Sequence, residues 1–150
     1  MSVAQALSIA AALCRTFEGV RLKPYLCPAA IPTIGIGSTH YEDGRLVALS
    51  DPPITLARAE ALMMLTLARD YLPGVLRASP GLAEHPRALG ALVDFAYNCG
   101  VPRYRASTLR RRVDAKDWQA AKDQLLKWTR GGGKILPGLV ARRVAEGKLL

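Results

Sequence analysis

The chain has 150 residues, half of them hydrophobic, and its lysines and arginines outnumber its acidic residues by 21 to 12. A domain of this length buries about 68–70% of the surface that its unfolded chain exposes, so neither a disulfide nor a metal is required to hold it. The net charge of +9 predicts attraction to polyanions, which include nucleic acid, anionic lipid and cell wall. Charge alone does not choose among these partners.

The three cysteines, Cys14, Cys27 and Cys99, include no pair at the CxxC spacing of zinc and redox sites. We interpret them as reduced thiols of a protein made in the cytoplasm. The apolar run 3–13 is shorter than the ~17–25 residues of a membrane span, and it lacks the basic start of a signal peptide. A substrate outside the membrane would therefore require another protein to release this one.

The N-terminal segment is predicted to form a helix. Ser2 and Gln5 have the spacing of a capping box, and the alanine-rich stretch after them favours helix up to Glu18. Gly19 is a natural helix stop.

Residues 20–50 have a different character, because prolines and glycines divide them into short segments. Residues 33–36 are typical of a strand, and residues 42–45 of a hairpin turn. This part of the chain is therefore predicted to form a small β-containing lobe.

From residue 52 onward the pattern is helical. Thr55 is predicted to cap a helix that Pro73 and Gly74 break or kink. Pro86 suits the start of a second helix, which is apolar almost all round over residues 88–95. Further helices are predicted near 107–113, from 114 or 117 to 128, and from 137 to the C-terminus, with the glycines at 131–133 as a mobile connector.

This order of elements predicts one α+β domain over residues 1–150 that is mostly helical. The β lobe covers roughly residues 19–51, and the larger helical lobe covers residues 1–18 plus 52–150. A cleft between two such lobes is a common place for a polymer substrate.

Glu18, Cys27 and Thr33 are the candidate catalytic residues. Each is ordinary alone, because most glutamates are solvated, a single cysteine usually packs in a core, and threonine is a good strand residue. Their combination is more specific. The segments around them resemble the catalytic segment of phage-type lysozymes, glycoside hydrolase family 24: Phe17-Glu18-Gly19, Pro24-Tyr25 and Pro32-Thr33-Ile34-Gly35-Ile36-Gly37.

That family places a glutamate, a second polar residue nine positions on, and a threonine six positions beyond, which Glu18, Cys27 and Thr33 match. The second residue is commonly aspartate, and cysteine is a known variant. The resemblance continues in three later segments that follow in the family's order: Asp94-Phe95-Ala96-Tyr97-Asn98-Cys99-Gly100, Ser107-Thr108-Leu109 and Pro137-Gly138-Leu139-Val140-Ala141-Arg142-Arg143.

The resemblance implies a lysozyme-like fold and hydrolysis of the β-1,4 bond between N-acetylmuramic acid and N-acetylglucosamine in peptidoglycan. Glu18 would protonate the leaving oxygen, while Thr33 and Cys27 would position the water. It also implies that Arg142 or Arg143 reaches Glu18, although both could instead pair with Glu146 by helical spacing. The implied substrate contacts are Tyr97, Asn98 and Thr108.

Cys27 leaves the mechanism open. An unperturbed thiol has a pKa of about 8.5 and is a poor base at neutral pH. Cys27 could therefore act as a base, or as a hydrogen-bonding or steric element. It could also mark a lytic transglycosylase, in which the 6-hydroxyl of the sugar replaces water.

The alternative to an enzyme is a non-catalytic cationic module that binds cell wall or nucleic acid. The run Arg110-Arg111-Arg112 fits it, although a solvated helix face is the commoner meaning of such a run. His40 and His85 lack nearby acidic ligands, so neither a metal nor another cofactor is expected.

We expect a monomeric endolysin without nucleic-acid binding or a membrane span. It is made in the host cytoplasm, depends on a holin for release, and is drawn to the anionic envelope by its charge.

Overall fold

A computed structural model of the chain describes residues 2–150, except for the side chain of Ser2. The capping box predicted for Ser2 and Gln5 therefore lies outside the described residues. Helix α1 spans Ser2–Glu18, as predicted, and Gly19 ends it with a φ of +70°. The helix packs closely on α4 (Pro86–Cys99), where a Cβ on Gly90 would stand 2.7 Å from the side chain of Ile9.

The small sheet follows α1 directly. Strand β1 (Arg21–Leu26) pairs antiparallel with β2 (Pro32–Gly35), and Tyr25 faces Thr33 across the pair. The turn predicted at residues 42–45 is confirmed, because the N–H of Tyr41 donates to the carbonyl of Arg45 at 2.9 Å.

Helix α2 (Leu56–Thr66) begins as predicted, with the Thr55 hydroxyl accepting from the N–H of Arg58 at 3.1 Å. Pro73 and Gly74, where a break or kink was predicted, do not break the helix. The chain continues through a π-helical turn (Leu67–Tyr71) into α3 (Leu72–Ala78), so the irregularity precedes the proline. Pro73 is the second residue of α3, directly after that turn.

Helix α4 runs through the centre of the larger lobe. Every residue from Ala88 to Ala96 is buried, as the apolar pattern predicts, and this includes Asp94. Gly100 ends the helix with a φ of +96°. A 3-10 turn (Pro80–Glu84) precedes α4, and the helices that follow are α5 (Val101–Ala106), α6 (Thr108–Asp114), α7 (Trp118–Leu125) and α8 (Pro137–Gly147).

Two features after α4 differ from the prediction. Helix α5 was not predicted, and α7 ends at Leu125 rather than at residue 128. Instead of a bare connector, the glycines lie in a hairpin of β3 (Arg130–Gly131) and β4 (Lys134–Ile135). Gly132 and Gly133 form its turn with φ of +58° and +80°, a conformation that glycine adopts without strain.

The mostly helical α+β architecture with one small lobe is thus confirmed. Residues from both parts, among them Ile34 and Ile36 of the β region and Leu92 and Phe95 of α4, belong to one buried apolar cluster. Within residues 2–150, no helix is both long enough and apolar enough to cross a membrane.

Candidate active site

Glu18 is the last residue of α1, and its side chain is 21% exposed. Gly19 turns the chain away immediately after it, so the carboxylate projects from a helix end rather than from a helix face. Its Oε1 accepts a hydrogen bond from Nη1 of Arg142 at 2.8 Å. The prediction that one of the two C-terminal arginines reaches Glu18 is therefore confirmed, and the arginine is Arg142.

The guanidinium of Arg142 is shared between two carboxylates. Its Nε donates to Oδ2 of Asp94 at 2.9 Å, and its Nη2 donates to Oδ1 of Asp94 at 2.7 Å. Its Nη1 donates to Glu18. Arg142 is 3% exposed and Asp94 is 0% exposed, so this bidentate pair is sealed from solvent. The thiol of Cys14 donates to Oδ1 of Asp94 at 3.2 Å, and burial raises the pKa of that thiol.

A second buried pair lies next to the first. Arg143 binds both carboxylate oxygens of Glu146 through Nη1, at 2.5 and 2.6 Å, and its Nε donates to the carbonyl of Trp128. Burial raises the pKa of Glu146, although the positive charge of Arg143 opposes the shift. The pairing with Glu146 by helical spacing is confirmed for Arg143.

The glycine loop after β2 lies directly against Glu18. Gly37 has a φ of +75°, and a Cβ on it would stand 3.2 Å from Oε2 of Glu18 and 3.1 Å from the ring of Tyr97. The Tyr97 hydroxyl donates to the carbonyl of Ile36 at 2.6 Å. Tyr97 therefore holds this loop beside the carboxylate, and only glycine leaves room at position 37.

Cys27 and Thr33 come together at the turn between β1 and β2. The backbone N–H of Ile31 lowers the pKa of the Cys27 thiol, with further help from the N–H of Ala29. The Thr33 hydroxyl donates to the carbonyl of Ile31 at 2.9 Å. Cys27 is partly exposed whereas Thr33 is buried, so the sulfur is the more accessible of the two groups.

Tyr25 links this pair to Glu18. It stands opposite Thr33 in the sheet, and its pKa is raised by burial first, then by the charge of Glu18 and more weakly by Cys27. Tyr25 therefore lies within electrostatic reach of both Glu18 and Cys27.

The candidate substrate contacts are placed differently from one another. Tyr97 lies beside Glu18, as described. Asn98 accepts a hydrogen bond from Nη2 of Arg143, and Thr108 begins α6 and accepts from Nη2 of Arg111 at 3.3 Å. A role in substrate binding stays a prediction for all three.

Asp94 was missed as a member of the site. The signal for it was present in the sequence, because a carboxylate inside an otherwise apolar helix needs a buried cation. In the part of the chain that the structure describes, no three His, Cys, Asp or Glu side chains are grouped to hold a metal ion.

Comparison with known sequences places the chain among phage enzymes. The profile of the phage lysozyme family matches residues 15–146. A SAR-endolysin of bacteriophage PS119 is 35% identical over 132 residues, which is 86% of this chain and 73% of that protein. The endolysin of Salmonella phage P22 is 33% identical over 117 residues, 77% of each chain.

Solved structures agree with the sequences. An endolysin from Escherichia coli O157:H7 phage FAHEc1 superposes with a TM-score of 0.79 and 26% identity, covering 94% of this chain and 89% of that one. A mutant of P22 lysozyme gives a TM-score of 0.72 with 28% identity, covering 93% of each chain. The fold is therefore lysozyme-like, and the chain belongs to the phage lysozyme family.

Proposed function

We propose that this chain is an endolysin muramidase that hydrolyses the β-1,4 bond between N-acetylmuramic acid and N-acetylglucosamine and so lyses the host cell. Family membership supports the substrate class. The observation that carries the mechanism is the position of Glu18, which stands at a helix end against the glycine loop with one carboxylate oxygen held by Arg142. The general acid is thereby oriented while its side chain stays partly open to a substrate.

Glu18 is proposed as the general acid. Cleavage of a glycosidic bond requires protonation of the leaving oxygen and, for inversion, a second group that holds a water on the opposite face of the sugar. Because Arg142 occupies Oε1, Oε2 is the atom left to carry the proton toward the leaving oxygen. A side chain at position 37 would stand 3.2 Å from that oxygen, and Gly37 leaves this space free.

Thr33 and Cys27 are proposed to hold the water. The Thr33 hydroxyl donates its hydrogen to the carbonyl of Ile31, so its lone pairs are free to accept a hydrogen bond from a water. The lowered pKa of Cys27 gives it more thiolate at neutral pH than a free cysteine has. A thiolate accepts a hydrogen bond and a proton, so this pair supports hydrolysis, in which the water adds to the anomeric carbon.

The proposal extends to the surroundings of the reaction. Tyr97, Asn98 and Thr108 are proposed to contact the glycan, and the net charge of +9 to favour the anionic envelope. We propose a monomer that is made in the host cytoplasm and reaches the peptidoglycan in the periplasm after a holin opens the membrane. Three unpaired cysteine thiols fit synthesis in a reducing compartment.

Mass spectrometry of the fragments released from purified peptidoglycan tests the function directly. Hydrolysis predicts muropeptides that end in a reducing N-acetylmuramic acid. Muropeptides with 1,6-anhydro ends, each lighter by one water, would make the chain a lytic transglycosylase. Binding to the peptidoglycan without any released fragment would make it a non-catalytic module.

A further inference from the structure

The carboxylate of Asp94 is enclosed in the helical lobe, yet it binds the guanidinium that holds Glu18. Asp94 is 0% exposed, so it has no surface through which a substrate could touch it. Burying a carboxylate inside an apolar helix is costly unless a cation compensates, and Arg142 does so through two hydrogen bonds. The mechanism proposed above gives the buried carboxylate of Asp94 no role.

The charge balance at Arg142 suggests what Asp94 does. A general acid must carry its proton into the reaction, whereas a full positive charge 2.8 Å away favours the ionised carboxylate. Asp94 binds the opposite side of the same guanidinium, with its Oδ1 2.7 Å from Nη2. The negative charge of Asp94 therefore offsets the positive charge that Arg142 presents to Glu18.

The other titratable groups around Glu18 do not supply this balance. Burial raises the pKa of Cys14, Tyr71 and Tyr97, and it is also the main cause of the raised pKa of Tyr25, so these four groups stay neutral at neutral pH. Cys27 is held within its own turn by a hydrogen bond from its N–H to the carbonyl of Ile31. Glu146 is paired with Arg143 and lies 3.9 Å from Nε of Arg142. Within the described residues, Arg142 is the only cation hydrogen-bonded to Glu18.

We propose that Asp94 is a positioning residue that acts through Arg142: it fixes the guanidinium that orients Glu18 and cancels enough of its charge for Glu18 to keep a transferable proton. The inference rests on the proposed role of Glu18 as general acid. Arg142 without Asp94 would still bind Glu18, but it would present its positive charge to the acid without compensation.

The test is the pH profile of kcat/KM for Asp94→Asn on purified peptidoglycan, measured by muropeptide release at constant ionic strength. Asparagine keeps the shape and one acceptor for Arg142 but removes the charge. We expect the alkaline limb, where the acid loses its proton, to move down by about one pH unit or more. The rate above the limb should fall about tenfold or more, and the rate on the acidic plateau far less. A purely structural role would lower the rate equally at every pH and overturn the proposal.

Asp51→Asn is the control, because it also neutralises a carboxylate that binds an arginine, but that arginine is Arg45 on the β lobe. Its limb should stay at the wild-type pH, and an equal shift in both variants would overturn the specific role of Asp94. If Asp94→Asn does not fold, the double variant Asp94→Asn with Arg142→Gln replaces a charged pair with a neutral one. Its limb should lie at or above the wild-type pH, and a limb below it would overturn the proposal.

Activity of Glu18→Gln separates this inference from the function on which it rests. If Glu18→Gln stays active, the general-acid assignment fails and the inference fails with it. If Glu18→Gln is inactive while Asp94→Asn keeps the wild-type limb, only the inference fails.

Discussion

The two sides of the active site are held together by different interactions. On the β-lobe side, Cys27 and Thr33 lie six residues apart, and backbone groups of the same turn set their properties. On the helical-lobe side, Glu18, Asp94 and Arg142 come from three helices, and the bonded pairs are separated by 48 and 124 positions in the chain. The first side depends on local hydrogen bonds to a partly exposed thiol, and the second on full charges enclosed in apolar packing. Substitutions on the two sides should therefore fail in different ways.

The largest effect is expected at the acid itself. Glu18→Gln keeps the shape and one acceptor for Arg142 but cannot donate the proton, so lysis of permeabilised Gram-negative cells should fall by about 10²–10⁴-fold. Turbidity loss measures the rate, and an unchanged thermal unfolding curve shows that the fold is intact. A variant that clears cells at nearly the wild-type rate would remove the central assignment.

Breaking a buried pair should cost much more stability than breaking an exposed one. Arg143→Met leaves Glu146 without its cation, and we expect the free energy of unfolding to fall by about 3–5 kcal/mol. Arg45→Met on the β lobe removes an exposed cation from Asp51, which keeps its hydrogen bonds from Tyr41 and Ala48, and it should cost much less. Urea unfolding of both variants measures the difference, and equal losses would contradict the contrast between the lobes.

Cys27 should tolerate one substitution and not another. Cys27→Ala removes the acceptor and should lose most of the activity, whereas Cys27→Asp supplies a stronger acceptor at the same place and should retain a substantial part. Muropeptide release by both variants measures this. If Cys27→Ala is only mildly affected and the products carry anhydro ends, Glu18 works alone and the enzyme is a transglycosylase.

The thiols should differ in their reaction with iodoacetamide. The N–H of Ile31 lowers the pKa of Cys27, so its thiolate persists to lower pH, whereas burial raises the pKa of Cys14 and Cys99. Cys27 should therefore be alkylated first, with a midpoint below the value of about 8.5 for a free thiol. Peptide mapping by mass spectrometry across pH reads the midpoint. A midpoint equal to that of free cysteine would contradict the local stabilisation.

The smallest effect concerns salt. Lysis should slow severalfold as salt rises, because attraction between the cationic protein and the envelope is screened within about 10 Å at 0.1 M and about 3 Å at 1 M. Arg111 and Arg112 are exposed, and neither forms an ion pair within residues 2–150. Replacing both with Gln should flatten the salt dependence. A wild-type rate that is flat with salt would show that the charge does not serve the approach to the envelope.

The sequence by itself determined the local features. The Thr55 cap, the start of α4 at Pro86 and the end of α1 before Gly19 depend on residues within one helical turn, so they were predictable. The spacing of Glu18, Cys27 and Thr33 was likewise readable, because a helix end and a short hairpin contain all three within 16 residues.

Only the tertiary structure decided how the buried charges are paired. Sequence offered Glu146 or Glu18 as partners for the two C-terminal arginines, and Asp94 was not among the candidates. Packing of α1, α4 and α8 around one enclosed space gave Arg142 two carboxylates, of which Asp94 is fully buried. The π-helical turn before Pro73 and the hairpin at Gly132 were decided in the same way. The cost of a buried charge or a missing N–H depends on which groups surround it, and those groups lie far away in the chain.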